Sequence, residues 1–545
     1  MWTRRQLLNT GSVGACGLTL GCDPDRPQPS AVLQGELLGL ERAQRGHRLW
    51  TEPPPLPAKS PRSVDVLIVG AGVAGLAAAW RLREAGHTGV IEIVELADRV
   101  GGTATWGDGA RGRFALGAHY ITMPNPENLP MRRFLHAMGA IESFDGASPE
   151  VPFAGPARYR TADLCLAPQE RLHVGGAWAE GLWPETASPE DDDQKAIFDN
   201  AVAELSAARG RDGRHAFAIP VALASRDPQL RALADISFAD WLSQRGITSP
   251  TVLWWLEYGC RDDYGTTLDT TSAWAGLHYH CARRPDPADD RDLGTHVLTW
   301  AEGNGRLVQE LVRLGGQTPR TGHLVRSVDP DTGLCVVEDA SGSAEVVRAQ
   351  HIILAVPTPV RAKLLSRALS PSPTTAPWRV AALQLRDSPE GRGVRIAWDS
   401  VTFGASDLGY ISSAHQAGNF GGPTVLTWYQ PLTGEPAQAR GQLYSATWAS
   451  EAELVLGALE SAHPDLRGLL ERIDIWHWGH GTVRPTVGLH APGVLDPLAQ
   501  PIGCCIAAHT DLSGLSLFEE ALWHGVSAAE WVISSQGHDV STWLG

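Results

Sequence analysis

One stretch places two acids beside a tyrosine, and two others place histidines beside aromatic rings. They read Cys260-Arg261-Asp262-Asp263-Tyr264-Gly265, Trp274-Ala275-Gly276-Leu277-His278-Tyr279-His280 and, far downstream, His477-Trp478-Gly479-His480-Gly481. Carboxylates next to tyrosine and histidine are what a pocket for an organic cation needs: charge to pair with an ammonium and ring faces to stack on it. Asp262, Asp263, Tyr264, His278, Tyr279 and His480 are the candidate substrate-side residues. The same residue types also suit a structural Arg–Asp network capping a helix over a tryptophan core, so both readings stand at this level. Gly210-Arg211-Asp212-Gly213-Arg214-His215 and Trp398-Asp399, with Gly409-Tyr410 and His415-Gln416, are further stretches of the same unusual kind.

A second set of residues has the spacing of a phosphate cradle. Val66–Val69 is a short apolar run that leads into Gly70-x-Gly72-x-x-Gly75 and then into an alanine-rich helical stretch. Gly70 makes a tight turn, Gly72 lets backbone approach a pyrophosphate, and Gly75 lets the helix pack on the strand. The helix N-terminus offers N–H groups and its dipole to the phosphates. A second strand, Val90–Val94, ends in Glu95, about 20 residues on, where a carboxylate meets an adenosine ribose.

Glu95-Leu96-Ala97-Asp98-Arg99-Val100-Gly101-Gly102-Thr103 then resembles the E-x-x-x-R-x-G-G signature of the flavin-containing amine oxidase superfamily. That family takes in monoamine and polyamine oxidases, protoporphyrinogen oxidase and carotene desaturases. The resemblance implies FAD, bound non-covalently, with Arg99 reaching the diphosphate and Gly101 and Gly102 letting the loop pass close to the cofactor. Phe114–Tyr120 is similar to the segment beneath the flavin, Ala301–Leu307 to the loop and helix returning to the FAD domain, and Leu324–Val328 with His351–Pro357 to the strands beside the adenine. There Val325 is implied to touch adenine through its backbone. Ile506–Gly514 with Phe518-Glu519-Glu520-Ala521 is similar to the closing strand and helix, which assigns Asp511 and Phe518 to the cofactor. Three positions depart from the family pattern. The strand Trp378–Leu385 has no lysine to hold a water at flavin N5, leaving Arg379 or Gln384 as stand-ins. Leu517 falls near an expected cage tyrosine, and His509 or Asp511 replaces a ribityl glutamate.

The elements that must position these residues define an α/β protein. It is expected to be a Rossmann-like FAD-binding domain with a parallel sheet, interleaved with an α+β substrate domain. The expected pieces are a signal at 1–22, a Pro-rich tether at 23–63, FAD-binding parts at 64–154, 296–358 and 476–545, and substrate-domain parts at 155–295 and 359–475. A chain of 545 residues is too long for one ordinary core, and 43% hydrophobic content with 58 glycines suits a globular enzyme. The net charge of −16 disfavours nucleic acid as a partner and favours a cationic small molecule. None of the eight cysteines forms a CxxC pair, so no metal site is expected.

The N-terminus is read as an address. Thr3-Arg4-Arg5-Gln6-Leu7-Leu8 is a twin-arginine pattern, and Leu18-Thr19-Leu20-Gly21-Cys22 resembles a lipoprotein cleavage box. The expected location is periplasmic or the outer face of the cytoplasmic membrane, touching lipid only through Cys22, with the oligomeric state left open. The expected activity is hydride removal from an amine or polyamine. The alternatives are C–C oxidation of the desaturase or protoporphyrinogen oxidase kind, and a non-catalytic flavoprotein electron carrier.

Overall fold

A computed structural model describes residues 33–51, 60–284 and 296–544. The twin-arginine pair, Cys16, Cys22 and Pro53–Pro55 lie outside the described residues. Two large sheets organise the chain. The first runs Leu324–Val328, Leu334–Glu338, Ala344–Leu354, Arg62–Val69 and Ile91–Val94 in order, with Cys505–Ala507 also pairing to Ala344–Leu354. Ala344–Leu354 pairs parallel with both Arg62–Val69 and Cys505–Ala507, and Arg62–Val69 pairs parallel with Ile91–Val94. Strands buried on both faces read as continuous apolar runs, which is how Val66–Val69 stood out in the sequence. Leu334–Glu338 separates Leu324–Val328 from Ala344–Leu354, so the two segments expected beside the adenine share the sheet without being neighbours.

The helix Val73–Glu84 lies against this sheet and is almost wholly buried. Its alanines let the helix Phe518–Ser535 come very close: a Cβ on Gly525 would sit 2.2 Å from the Ala74 carbonyl oxygen. Arg81 joins the two helices through a buried ion pair with Glu530 at 2.9 Å.

The second sheet has eight strands, and its central members are Leu470–Val483, Thr375–Leu385 and Thr424–Pro431, antiparallel to one another. Leu470–Val483 belongs wholly to this sheet and crosses the expected boundary at 475/476 without a break. A helical layer adjoins the sheet, built from Pro189–Ala207, Phe238–Ser243, Pro250–Tyr264 and Ala273–Cys281 around Phe217, Trp241 and Trp274.

Residues 33–51, expected as part of an extended tether, are instead folded onto the body. Leu37–Leu38 adds a parallel strand to Leu470–Val483, the helix Leu40–His47 follows, and Leu49 is buried beside Val325. A two-residue strand has no periodicity to read, and the proline content of the surrounding sequence masked the helix.

Candidate active site

The strand Arg62–Val69 ends at Gly70, whose φ of 102° only glycine adopts easily. Gly75 sits one helical turn on, where a Cβ would lie 2.0 Å from the Gly70 carbonyl oxygen. Gly72 is different. A Cβ there meets nothing within 4 Å, and it is the N-cap of a helix that no side chain caps. Gly101 and Gly102 both have positive φ and come up beside Gly72, with which Gly101 forms a parallel bridge. The result is an open slot walled by glycine backbone at a helix N-terminus, which fits a diphosphate.

Glu95 closes one end of the slot. Its carboxylate accepts from the backbone N–H of Ala71 at 2.7 Å and of Ala97 at 2.8 Å. Burial raises its proton affinity, against the pull of those two donors. Arg99, expected on the diphosphate, is turned elsewhere: its guanidinium donates to Asp108 at 2.8 Å and to the Trp106 carbonyl, and it is largely exposed. A carboxylate and a carbonyl within reach hold it there. Val325 lies on the strand Leu324–Val328 at the sheet edge, next to a register shift at Val325/Ser327. Asp511 is buried, accepts from the Thr358 N–H at 2.6 Å and pairs with His509 at 3.0 Å.

Beyond the slot a cavity lies against the second sheet, which contributes Trp378, Val380, Thr427, Tyr429 and Trp478 to its wall. Thr103, Gly117 and Phe518 line its cofactor end, and His119, Tyr120, Asp262, Asp263, Arg283, Tyr429, Trp478 and Glu519 line the rest. Phe518 opens the final helix and stacks on Phe134 at 6.0 Å. The helix Pro250–Tyr264 starts at Ser249, whose hydroxyl accepts from Thr251 and Val252, and stops at Gly265 with φ 63°. Its last turn thereby delivers Asp262 and Asp263, at the end where a helix dipole disfavours negative charge. Tyr120 donates its hydroxyl to Asp262 Oδ2 at 3.1 Å, and Arg283 donates to Asp263 Oδ2 at 2.6 Å. Burial, and then the charge of Asp263, pushes the Asp262 carboxyl up to about 7. Burial, with a smaller push from the charge of Asp263, raises Glu519 to about 7. His119, Tyr120, Trp398 and Tyr429 form a ring cluster with centroids 4.9–5.8 Å apart. Burial pushes His119 down to about 4, so it stands neutral.

Of the candidates, Asp262 and Asp263 line the cavity, and Tyr279 stacks on Arg283 behind them. Tyr264 and His278 do not reach it. The Tyr264 hydroxyl donates to the Ala275 carbonyl at 3.0 Å, and His278 bonds the Ala218 carbonyl at 3.0 Å, both inside the helical core. His480 bonds Thr375 at 3.0 Å and is exposed. The N5 stand-ins are also engaged elsewhere: Arg379 pairs with Glu451 at 2.7 Å, and Gln384 accepts from the Ala110 N–H at 3.0 Å. From that strand the cavity receives Trp378 and Val380. Arg283, Glu519 and Tyr429 were not singled out as substrate-side residues. The one signal for Arg283 is its place four residues after Tyr279.

A glycine-walled dinucleotide slot beside an acid-bearing cavity defines a flavin-dependent oxidoreductase fold. The chain belongs to the flavin containing amine oxidoreductase family, whose profile matches residues 73–421. Putrescine oxidase of Kocuria rosea is 31% identical over 184 residues, a stretch that spans 33% of this chain and 31% of that enzyme. Among solved structures, a putrescine oxidase bound to putrescine superposes with a TM-score of 0.60 at 14% identity, covering 87% of this chain and all of that one. Cyclohexylamine oxidase from Brevibacterium oxydans IH-35A gives 0.58 at 17% identity, again covering 87% of this chain and all of that one. The family brings with it a flavin cofactor.

Proposed function

We propose that the protein is an FAD-dependent amine oxidase acting on a small amine with a second cationic group, a diamine being the simplest case. The observation that carries this reading is Asp262, a half-buried carboxyl held by Tyr120 on the wall of an aromatic cavity. A bound flavin supplies the acceptor for a hydride leaving the carbon next to nitrogen. The chain's own residues do the rest. Asp262 pairs with an ammonium, and its raised proton affinity also lets it take the proton that turns an ammonium into the neutral amine. Asp263 stays with Arg283, which leaves Asp262 as the member of that pair free for substrate. The rings of Tyr120 and Tyr429, which line the cavity, flank the cation, and Trp398 packs edge-on behind Tyr120. The amine loses two electrons, dioxygen takes them up as hydrogen peroxide, and water hydrolyses the resulting imine to aldehyde and ammonia.

FAD, rather than a mononucleotide, is supported by a slot that runs from Glu95 to Gly102. Non-covalent attachment is supported by the absence of cysteine from the cavity lining among the described residues. The purified protein is expected to be yellow, to release its flavin on acid precipitation, and to be bleached anaerobically by putrescine within seconds. Bleaching by no amine in a panel of mono-, di- and polyamines sinks the amine reading. C–C oxidation then takes its place, a reading favoured by the absence of lysine from the cavity lining.

We also propose export by the twin-arginine route with lipidation at Cys22. Replacing both Arg4 and Arg5 by lysine is expected to trap the precursor inside the cell, as followed by fractionation. Undiminished export of the double variant rules the route out.

A further inference from the structure

Arg99 was the sequence's candidate for the cation on the diphosphate, yet it is committed to Asp108 on the surface. A different arginine stands by the slot. Arg42 comes from the helix Leu40–His47, which the segment 33–51 lays across the cofactor cleft. At one end Leu38 pairs in register with Trp476, and the Arg42 guanidinium sits 4.4 Å above the ring of Trp478, a wall of the cavity. At the other end Arg45 donates to the Leu96 carbonyl at 2.7 Å and to Asp98 at 2.9 Å, directly after Glu95. Arg42 therefore lies between the ribose acid and the flavin-end wall, the interval a dinucleotide's diphosphate must cross.

Its surroundings are short of an anion. Among the described residues, no carboxylate comes within ion-pairing distance of Arg42, and Glu95 acts on it only from further off. Tyr444 next to it also feels Arg440, and His47 packs edge-on to the Tyr444 ring at 6.2 Å. Burial lowers the proton affinity of Arg42, and only Glu95 and Tyr444 offset this. A cation drawn into a cleft without a partner costs stability unless a ligand supplies the charge. We propose that Arg42, from the N-terminal segment, is a cofactor-binding residue that meets the diphosphate of FAD across the slot from Gly72 and Gly102. The assignment rests on the FAD reading above.

The test is equilibrium binding of FAD to apoprotein, followed by quenching of flavin fluorescence, for wild type, Arg42→Gln and Arg42→Lys. Thermal unfolding of each apoprotein is measured alongside. Arg42→Gln is expected to bind FAD about 30-fold more weakly, the size of a charge-assisted hydrogen bond lost to a phosphate. Arg42→Lys is expected to recover part of that loss, and the salt dependence of binding to be shallower in Arg42→Gln. Neither variant apoprotein is expected to melt below wild type by more than about two degrees, and Arg42→Gln, freed of the unpaired charge, is expected to melt no lower than wild type. Binding by Arg42→Gln within about threefold of wild type overturns the assignment. An equal loss in Gln and Lys variants with a lowered apoprotein melting temperature overturns it too, because packing on Trp478 would then be the cause. Wild-type apoprotein that takes up no FAD overturns the FAD reading itself, a result distinct from both.

Discussion

Gly72→Val is expected to give a folded protein that carries no flavin. The backbone at Gly72 has φ −71° and ψ −179°, extended values that valine adopts without strain, and a Cβ there meets nothing within 4 Å. The fold itself therefore does not require glycine at this position. What the new side chain enters is the slot between the helix N-terminus and Gly102, where the diphosphate must lie. Gly75→Val is the contrast. Its Cβ would be 2.0 Å from the Gly70 carbonyl oxygen, a backbone atom that cannot swing aside, so the strand and helix must separate. That is expected to cost on the order of 3 kcal/mol or more and to lower the yield of soluble protein. Flavin absorbance per protein, with thermal unfolding by circular dichroism, separates the two outcomes. A Gly72→Val protein with full flavin content refutes the placement of the cofactor.

Asp262→Asn is expected to lower kcat/KM for a diamine by about 30-fold or more while leaving the flavin spectrum unchanged. Removing one partner of a desolvated ion pair is worth ~2–5 kcal/mol, and each 1.4 kcal/mol is tenfold. The pH dependence carries the sign. Burial and Asp263 raise the Asp262 carboxyl to about 7, so its charge, and with it amine binding, develops as pH rises through that value. KM for wild type should fall between about pH 6 and pH 8, and Asp262→Asn should lack that limb. Asp263→Asn should behave otherwise. Asp263 is the ion-pair partner of Arg283, and losing it strands a largely buried guanidinium. The expected result is destabilisation of about 3 kcal/mol, with the pH limb present but moved to lower pH, because the charge that helped raise Asp262 is gone. A flat KM profile in wild type would place the substrate's charge away from Asp262.

The cofactor end of the site was legible because its chemistry is local. Gly70, Gly72, Gly75 and Glu95 belong to one strand–turn–helix–strand unit, and their spacing alone determines where they meet. Arg99 was misplaced because a long side chain goes to whichever partner its surroundings offer, and Asp108, nine residues on, is on the surface with it. On the substrate side the acid pair was readable, but the division of labour between its members was not. Asp262 and Asp263 are consecutive on a helix, and which one faces open space depends on Tyr120 and Arg283, residues 142 and 20 positions away. Tyr264 and His278 share the composition of a pocket but satisfy core carbonyls, as the structural reading of those stretches had allowed. Glu519 lay within a stretch assigned to the cofactor, and only the packing of the final helix turns it into the cavity.

The segment that bridges the two sheets has a consequence for biosynthesis. Leu37 and Leu38 leave the ribosome early, yet their pairing partners are Ile475 and Trp476, made when nearly nine-tenths of the chain is complete. Such a long-range pairing is among the slowest contacts a chain can form. A segment made well before its partner strand is thus fastened only after that strand emerges. Until it is, the groove between Glu95 and Trp478 stays uncovered, and the interval between completion of the chain and docking of residues 33–51 sets the time in which a large ligand can enter unhindered.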